Sequence, residues 1–211
     1  MQGIAPGKAD TPHEFNDYLA RSHRPEAEVA WKAFYPHVWP DMVKCEKIND
    51  LKDQKCGVDR RIRTEKGQIF LLDEKERFKT YNDMLLEEWS VWKGEGHPDN
   101  KVGWALDPKK ACDYIAYAFW DSKKCYVVPY KLLRQAFENN RERWKGKYMK
   151  NGKVVEAPNK TYRTLSVPVP WDELRRCLAQ ERNEEFVRRE RVYLDYSLVG
   201  RFCKLKPFPW G

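Results

Sequence analysis

The stretch QKCGVDRRIRTEKGQIFLLDEKER, Gln54 to Arg77, decides the fold that the sequence predicts. Two runs that suit β-strands, GVDRRIRT and QIFLLDEKER, are joined by EKG, whose Gly67 is typical of a tight hairpin. The second strand begins with the apolar residues 69–72 and continues into five charged residues, 73–77. Two interpretations are open: an edge strand with a charged end, or a strand that carries metal ligands.

Side chains alternate between the two faces of a sheet, and this alternation divides the charged run. One face receives Ile69, Leu71, Asp73, Lys75 and Arg77, while Glu74 and Glu76 point the other way. We expect the first two of these side chains to lie in the core, and Asp73 and Lys75 to emerge where the core ends. Asp59 on the preceding strand can then converge with Asp73. Two converging carboxylates repel each other unless a cation separates them, and Mg²⁺ favours a few carboxylates and several waters.

The composition limits the class of partner. The 211 residues include 40 Lys or Arg against 32 Asp or Glu, a formal net charge of +8. This balance favours an anionic partner, nucleic acid first and an anionic membrane second, over a basic protein without such a partner. No run of about 18 apolar residues occurs, so we expect no membrane span. The beginning of the chain lacks the pattern of a secretory signal, and six cysteines without a C-x-x-C pair indicate free thiols in the cytoplasm rather than a zinc site.

The remaining patterns predict one α/β (α+β) domain. Residues 1–24 are interpreted as a loose arm, residues 25–147 as the core, and residues 148–211 as a C-terminal elaboration of the same domain. A first short helix is expected directly after Pro25, with Glu26 and Glu28 in its first turn, and is expected to end at Pro36. Further β-rich runs are DMLLEEWSVW, CDYIAYAFW and KCYVVPY, and helices are expected over about 130–145 and after Pro170. The segment KVVEAPNKTYRTLSVPVP predicts loop and a short strand.

The hairpin pattern resembles a known superfamily. Asp59, thirteen further residues and then Asp73-x-Lys75 are similar to the signature of the PD-(D/E)xK nucleases, which include restriction endonucleases and archaeal Holliday-junction resolvases. The segments DQKCGVD, LLDEKER, LLEEWS, GWALD, ACDYIAYAFW and SVPVPWDEL resemble, in that order, small phage and prophage members over about residues 50 to 178. The resemblance implies a restriction-endonuclease-like core, with a central mixed β-sheet flanked by helices.

The resemblance also implies roles for individual residues. Asp59, Asp73 and Lys75 would be catalytic. Both aspartates would bind Mg²⁺, for which Mn²⁺ can substitute, and the main-chain carbonyl of Glu74 would add a ligand. The superfamily often supplies a further acid from its first helix, and Glu28, with Glu26 as second choice, is the candidate by position alone.

Candidate nucleic-acid contacts are chosen from position and charge. Gln54 precedes the first motif strand, and Arg77 and Lys79 lie beside the motif. Arg134 and Arg141 belong to a basic stretch of the second helix, which is either a phosphate track or a solvated helix face. Other acids with two interpretations are Glu87 and Glu88, either solvated strand residues or, for Glu87, a side chain behind the site.

The function expected from these patterns is a metal-dependent DNA endonuclease that hydrolyses phosphodiester bonds. The resemblance implies a phage-encoded enzyme of DNA recombination, repair or processing, acting in the host cytoplasm, with DNA as partner, no membrane, and a homodimer left open. One alternative is a non-catalytic nucleic-acid-binding or host-interaction protein on a nuclease-like fold. In that case Asp59 and Asp73 are hairpin charges that pair with Arg61 and Lys75.

Overall fold

The computed structural model describes residues 25–50, 53–54, 56–148, 155–158 and 161–181. The helices are α1 (Pro25–Val38), α2 (Tyr130–Tyr148) and α3 (Trp171–Glu181). The strands are β1 (Met42–Lys47), β2 (Arg60–Thr64), β3 (Ile69–Arg77), β4 (Asp83–Trp92), β5 (Lys101–Val102), β6 (Tyr114–Phe119), β7 (Lys124–Pro129), β8 (Val155–Pro158) and β9 (Arg163–Pro170). The predicted arm and, of the predicted C-terminal elaboration, residues 149–154, 159–160 and 182–211 lie outside the described residues.

The strands form two sheets. The larger has the order β1-β2-β3-β6-β7, in which β3 and β6 run parallel and the other neighbours are antiparallel. The second has the order β5-β4-β9-β8 and is antiparallel throughout. The expected α/β class with a central mixed sheet is therefore confirmed, and the second sheet is an addition that the sequence analysis did not predict. No helix in the described part of the chain is long and apolar enough to span a membrane.

The central sheet packs a different layer on each face. On one face α1 packs through aromatic side chains against β2, β3 and the even-numbered positions of β6. The fully buried residues of this layer include Tyr35, Ile62 and Leu72. On the other face, Ile115 and Tyr117 of β6 pack with the second sheet, α2 and α3. Burying each large apolar side chain of this kind contributes about 1.5–3 kcal/mol, so the two layers hold the sheet from both sides.

The expectation that Ile69 and Leu71 lie in the core is wrong. Ile69 is 49% exposed and Leu71 is half-buried, whereas Leu72 is fully buried. The alternation along β3 is as expected, but α1 covers the face that carries Phe70 and Leu72. The face with Ile69 and Leu71 becomes buried only at Asp73, which is 1% exposed and pairs with Ile115 of β6.

Two further expectations, the end of α1 at Pro36 and a short strand near Pro168, are wrong. In both places the structure accommodates proline inside a longer element. The helix α1 continues past Pro36 to Val38, because the Trp39 N–H still donates to the Tyr35 carbonyl at 2.9 Å and both Val38 and Trp39 are buried. The eight-residue strand β9 replaces the short strand expected from SVPVP. Its prolines lie beyond Ser166, the last residue paired with the described part of β8, so among the described residues β9 has a partner strand on one side only there.

Candidate functional site

Asp59 and Asp73 are placed by the β2–β3 hairpin. Asp59 stands directly before β2, where its N–H donates to the Leu72 carbonyl at 2.8 Å and extends the pairing with β3. Its Oδ2 accepts the N–H of Glu74 at 2.8 Å, and its carboxyl lies within hydrogen-bonding reach of the Asp73 carboxylate. Burial, followed by the negative charge of Asp73, raises the pKa of Asp59 to about 7. The two carboxyl groups therefore act as one coupled pair.

Asp73 is buried between two ammonium groups. It is 1% exposed, and its Oδ1 lies 2.5 Å from the Nζ of Lys75, two residues further along the same face. Its Oδ2 contacts the Nζ of Lys110. Burial raises the pKa of Asp73, but the two lysines outweigh burial and hold it below the ordinary value. Burial lowers the pKa of Lys75, and the charges of Asp73 and Asp59 outweigh it and raise the pKa to about 12. Both groups are thus charged at neutral pH.

Lys110 is a site residue that the sequence analysis missed. It lies in the loop before β6, 37 residues from Asp73, with a side chain only 6% exposed. Gly57 makes room for it: a Cβ at that position would lie 2.2 Å from the Lys110 Nζ, and the φ of 69° also favours glycine. A loop lysine so distant in sequence has no periodicity that could have revealed it. The only available signal was its position between two of the motif segments.

Glu87, on β4 of the second sheet, lies near these charged residues. Its Oε1 accepts the N–H of Trp104 at 3.3 Å, and its charge interacts with those of Lys75 and Lys110. Burial raises its pKa, and the Trp104 N–H acts in the opposite direction. We call the set Asp59, Asp73, Lys75, Glu87 and Lys110 the carboxylate–lysine cluster. It combines three carboxyl groups with two ammonium groups.

Glu28 is not brought to this cluster. It lies on the α1 side of the sheet, where its carboxylate binds the Nη1 and Nη2 of Arg60 at 3.0 and 2.7 Å. Arg60 is fully buried and also lies 2.5 Å from Glu74 Oε1. The hydrogen bond from Arg60 is the largest cause that lowers the pKa of Glu28 to about 2. The expected helix ligand is therefore a structural ion-pair partner, and the side chain of Glu26 lies outside the described part.

Glu74 has a structural role in addition to the main-chain role expected for it. Its N–H fixes Asp59, while its side chain accepts hydrogen bonds from Arg60 and from the hydroxyl of Tyr35 at 2.7 Å. Because Glu74 pairs with Ala116 in the parallel ladder, its main chain is held by β6. The residue thus links the cluster on one face to the buried Arg60 on the other.

Two of the predicted contacts beside the hairpin are engaged within the protein. Gln54 donates from Nε2 to the Ile48 carbonyl at 2.9 Å. Arg77 lies 2.7 Å from Asp83 and stacks over Tyr81, with 3.8 Å between the guanidinium carbon and the ring centroid. The remaining predicted contact beside the hairpin, Lys79, is exposed just after β3. None of the three contacts Asp73 in the described structure.

The basic stretch of α2 is balanced by acids. Arg134 pairs with Glu138 at 3.3 Å, and Arg141 pairs with Glu88 at 3.6 Å. Neighbouring cations follow the same pattern, since Lys145 also pairs with Glu88. These pairs favour the interpretation of α2 as a solvated helix face over that of a phosphate track.

The carboxyl groups of the carboxylate–lysine cluster determine whether it can bind a metal ion. Among the residues described, no group of three or more His, Cys, Asp or Glu side chains could hold one. The pair Asp59 and Asp73 fits Mg²⁺ in a more limited way, because Mg²⁺ is often bound through one or two carboxylates and keeps several waters. Each oxygen of Asp73 already contacts one lysine, so a metal ion would have to use the remaining lone pairs of these oxygens.

Comparison with known proteins does not assign the chain to a family. No family model matches it, and neither the curated proteins nor the solved structures contain a significant match. The function of the protein is therefore inferred from the carboxylate–lysine cluster and the fold that surrounds it.

Proposed function

We propose that the protein is a metal-dependent nuclease that hydrolyses phosphodiester bonds in DNA. One observation carries this proposal: Asp59 and Asp73, from the two strands of one hairpin, meet beside Lys75. Converging carboxylates can hold a divalent cation, and such a cation beside a lysine suits the cleavage of a phosphodiester, whose transition state carries extra negative charge. The net charge of +8 favours a polyanionic substrate.

The residues of the cluster have separate roles in this mechanism. Asp59 and Asp73 would hold Mg²⁺, which lowers the pKa of a bound water and stabilises the leaving oxygen. Lys75 would orient the attacking water and offset the charge that develops on the phosphate. Lys110 would keep the Asp73 carboxylate in position, and the N–H of Glu74 would do the same for Asp59.

The architecture supports the superfamily assignment as part of the proposal. Asp59 directly precedes β2 and Asp73 lies on the antiparallel neighbour β3, which runs parallel to β6 on its other side. An α1 helix on one face and α2 on the other flank this mixed sheet. The arrangement agrees with the core that the resemblance implies, with β4 in a second sheet as this chain's own variation.

A second candidate is a non-catalytic nucleic-acid-binding protein on the same fold. The observation in its favour is that ammonium groups contact both oxygens of Asp73, an arrangement that needs no metal to balance its charge. In this case the cluster is a buried ion-pair network, which also shifts pKa values without any catalytic role.

A cleavage assay separates the two candidates. Plasmid, linear duplex, single-stranded and branched DNA are incubated with the full chain and either Mg²⁺ or EDTA. We expect cleavage of at least one DNA form with Mg²⁺ and none with EDTA. If every form is bound but remains intact with Mg²⁺ and with Mn²⁺, the nuclease proposal is wrong and the binding protein is favoured.

A further inference from the structure

We propose that the uncovered part of the central sheet, next to the carboxylate–lysine cluster, binds the sugar-phosphate backbone of the nucleic acid. We call it the open face, and it consists of Lys44, Glu46, Arg61, Arg63, Ile69 and Leu71. The inference deepens the proposed function and rests on it for the identity of the ligand. It replaces the α2 arginines as the principal phosphate contacts.

Strand register places these side chains on the same side of the sheet as the cluster. Arg61 pairs with Leu71 and Arg63 with Ile69, so each pair shares one face. Lys44 of β1 pairs with Arg63, and a bulge at Val43 separates it from the pair before. Asp59 and Asp73 occupy the next positions of this face, because side chains two residues apart in a strand point the same way.

The open face is exposed, in contrast to the other side of the same strands. Arg60 and Ile62 of β2 are fully buried under α1, whereas Ile69 is 49% exposed and the Lys44 side chain 55% exposed. The second sheet and α2 cover this side of the central sheet mainly over β6 and β7. Over β1, β2 and the start of β3, no described residue covers it to the point of burial.

The charge of the open face suits an anionic ligand. It carries three cations and one acid, and the acid, Glu46, is paired with Lys44 at 2.7 Å. Hydrogen bonding from Lys44, together with the charges of Arg61 and Arg63, lowers the pKa of Glu46. Within the described part of the chain, Arg61 and Arg63 form no side-chain hydrogen bond or ion pair, unlike Arg134 and Arg141 of α2. Their guanidinium groups are therefore available to a phosphate, which arginine binds with two parallel hydrogen bonds.

Side chains on one face of β2 form a row that ends at the carboxylate–lysine cluster. Arg63, Arg61 and Asp59 follow each other on one face at intervals of two residues, about 6.6–6.8 Å each. Asp59 is half-buried while Asp73 is 1% exposed, so the cluster is more accessible on the β2 side. A nucleic-acid strand held by the two arginines would reach the carboxylates from that side. Ile69 and Leu71 would contact its sugars, a mixed surface that matches a nucleic-acid backbone better than a uniformly basic membrane-binding patch.

The test is a binding titration of the full chain in EDTA with fluorescein-labelled duplex DNA over a series of salt concentrations. The variant is Arg61→Gln with Arg63→Gln. The matched control is Lys124→Gln with Arg175→Gln, which removes the same charge near β7, at the opposite edge of the sheet. We expect the variant to bind about tenfold more weakly, and the slope of log Kd against log salt to fall by about 1.8, since each lost phosphate contact removes about 0.9. The control should stay within about twofold of the parent chain.

The inference is overturned if the variant binds DNA with the parent's affinity and salt slope, or if the control loses as much. It is also overturned if the parent binds no DNA at low salt, or if the two arginines are needed for phosphatidylserine vesicles and not for DNA. Circular dichroism checks folding, and the single variant Arg63→Glu, at an exposed position, replaces the double variant if that fails to fold. DNA binding with the expected slope but without cleavage contradicts only the nuclease proposal, whereas cleavage with unchanged binding of the variant contradicts only the open face.

Discussion

Lys75→Gln is expected to slow Mg²⁺-dependent DNA cleavage by about 10²- to 10³-fold, the usual effect of removing one fixed charge that stabilises a transition state. The ammonium group lies 2.5 Å from Asp73, and its pKa is raised to about 12, so at neutral pH it acts as a positive charge rather than as a base. The rate should be measured in single turnover at saturating protein. DNA affinity in EDTA should change little, because Lys75 is paired with Asp73 inside the cluster and lies outside the open face.

Lys124→Gln is the matched control for this prediction, since Lys124 is an exposed lysine of the same sheet. Its cleavage rate should equal that of the parent chain. A Lys75→Gln variant that is folded and cleaves within threefold of the parent would remove Lys75 from the mechanism. Lys110 would then be the remaining lysine that contacts Asp73.

Arg60→Met is expected to lower the free energy of unfolding by about 3–5 kcal/mol, the usual cost of leaving a buried charge without its partner. Arg60 is fully buried and joins Glu28 of α1 to Glu74 of β3. Without it, two carboxylates remain close together beneath α1, next to the Tyr35 hydroxyl. Urea unfolding followed by tryptophan fluorescence measures the loss.

Two comparisons make the Arg60 prediction specific. Arg61→Met, one position further along β2 on the open face, should change stability by less than about 0.5 kcal/mol, as expected for a surface substitution. The triple variant Glu28→Gln, Arg60→Met, Glu74→Gln should recover much of the loss, because the cost comes from unpaired charges rather than lost volume. An Arg60→Met chain as stable as the parent would mean that this ion-pair network does not hold α1 on the sheet.

The local part of the candidate site follows from the sequence because it depends on neighbours in one strand. Side chains at Asp73 and Lys75 must share a face, and Glu74 must lie opposite, whatever surrounds the strand. The structure has this arrangement, with Glu74 directed to Arg60 and Glu76 directed to the indole N–H groups of Trp31 and Trp120. The hairpin itself is equally local, since a short turn at Gly67 fixes the register of β2 and β3.

The remainder depends on contacts between distant segments, which alternation within one strand does not specify. The pattern of β4 is the same whether it joins the central sheet or pairs with β9, as it does from Asp83 and Pro170 onward. Which face of β3 is buried under α1 depends on where α1 docks, and for this reason Leu72 rather than Leu71 is fully buried. Glu28 has the position expected of a helix ligand, but α1 docks on the face opposite the cluster.

The most direct measurement for the central claim is a crystal structure of the protein soaked with Mn²⁺, with anomalous data collected to locate the ion. The proposed function predicts a peak between the carboxylates of Asp59 and Asp73, next to the ammonium groups of Lys75 and Lys110 that contact Asp73. The absence of a peak at saturating Mn²⁺ would contradict it.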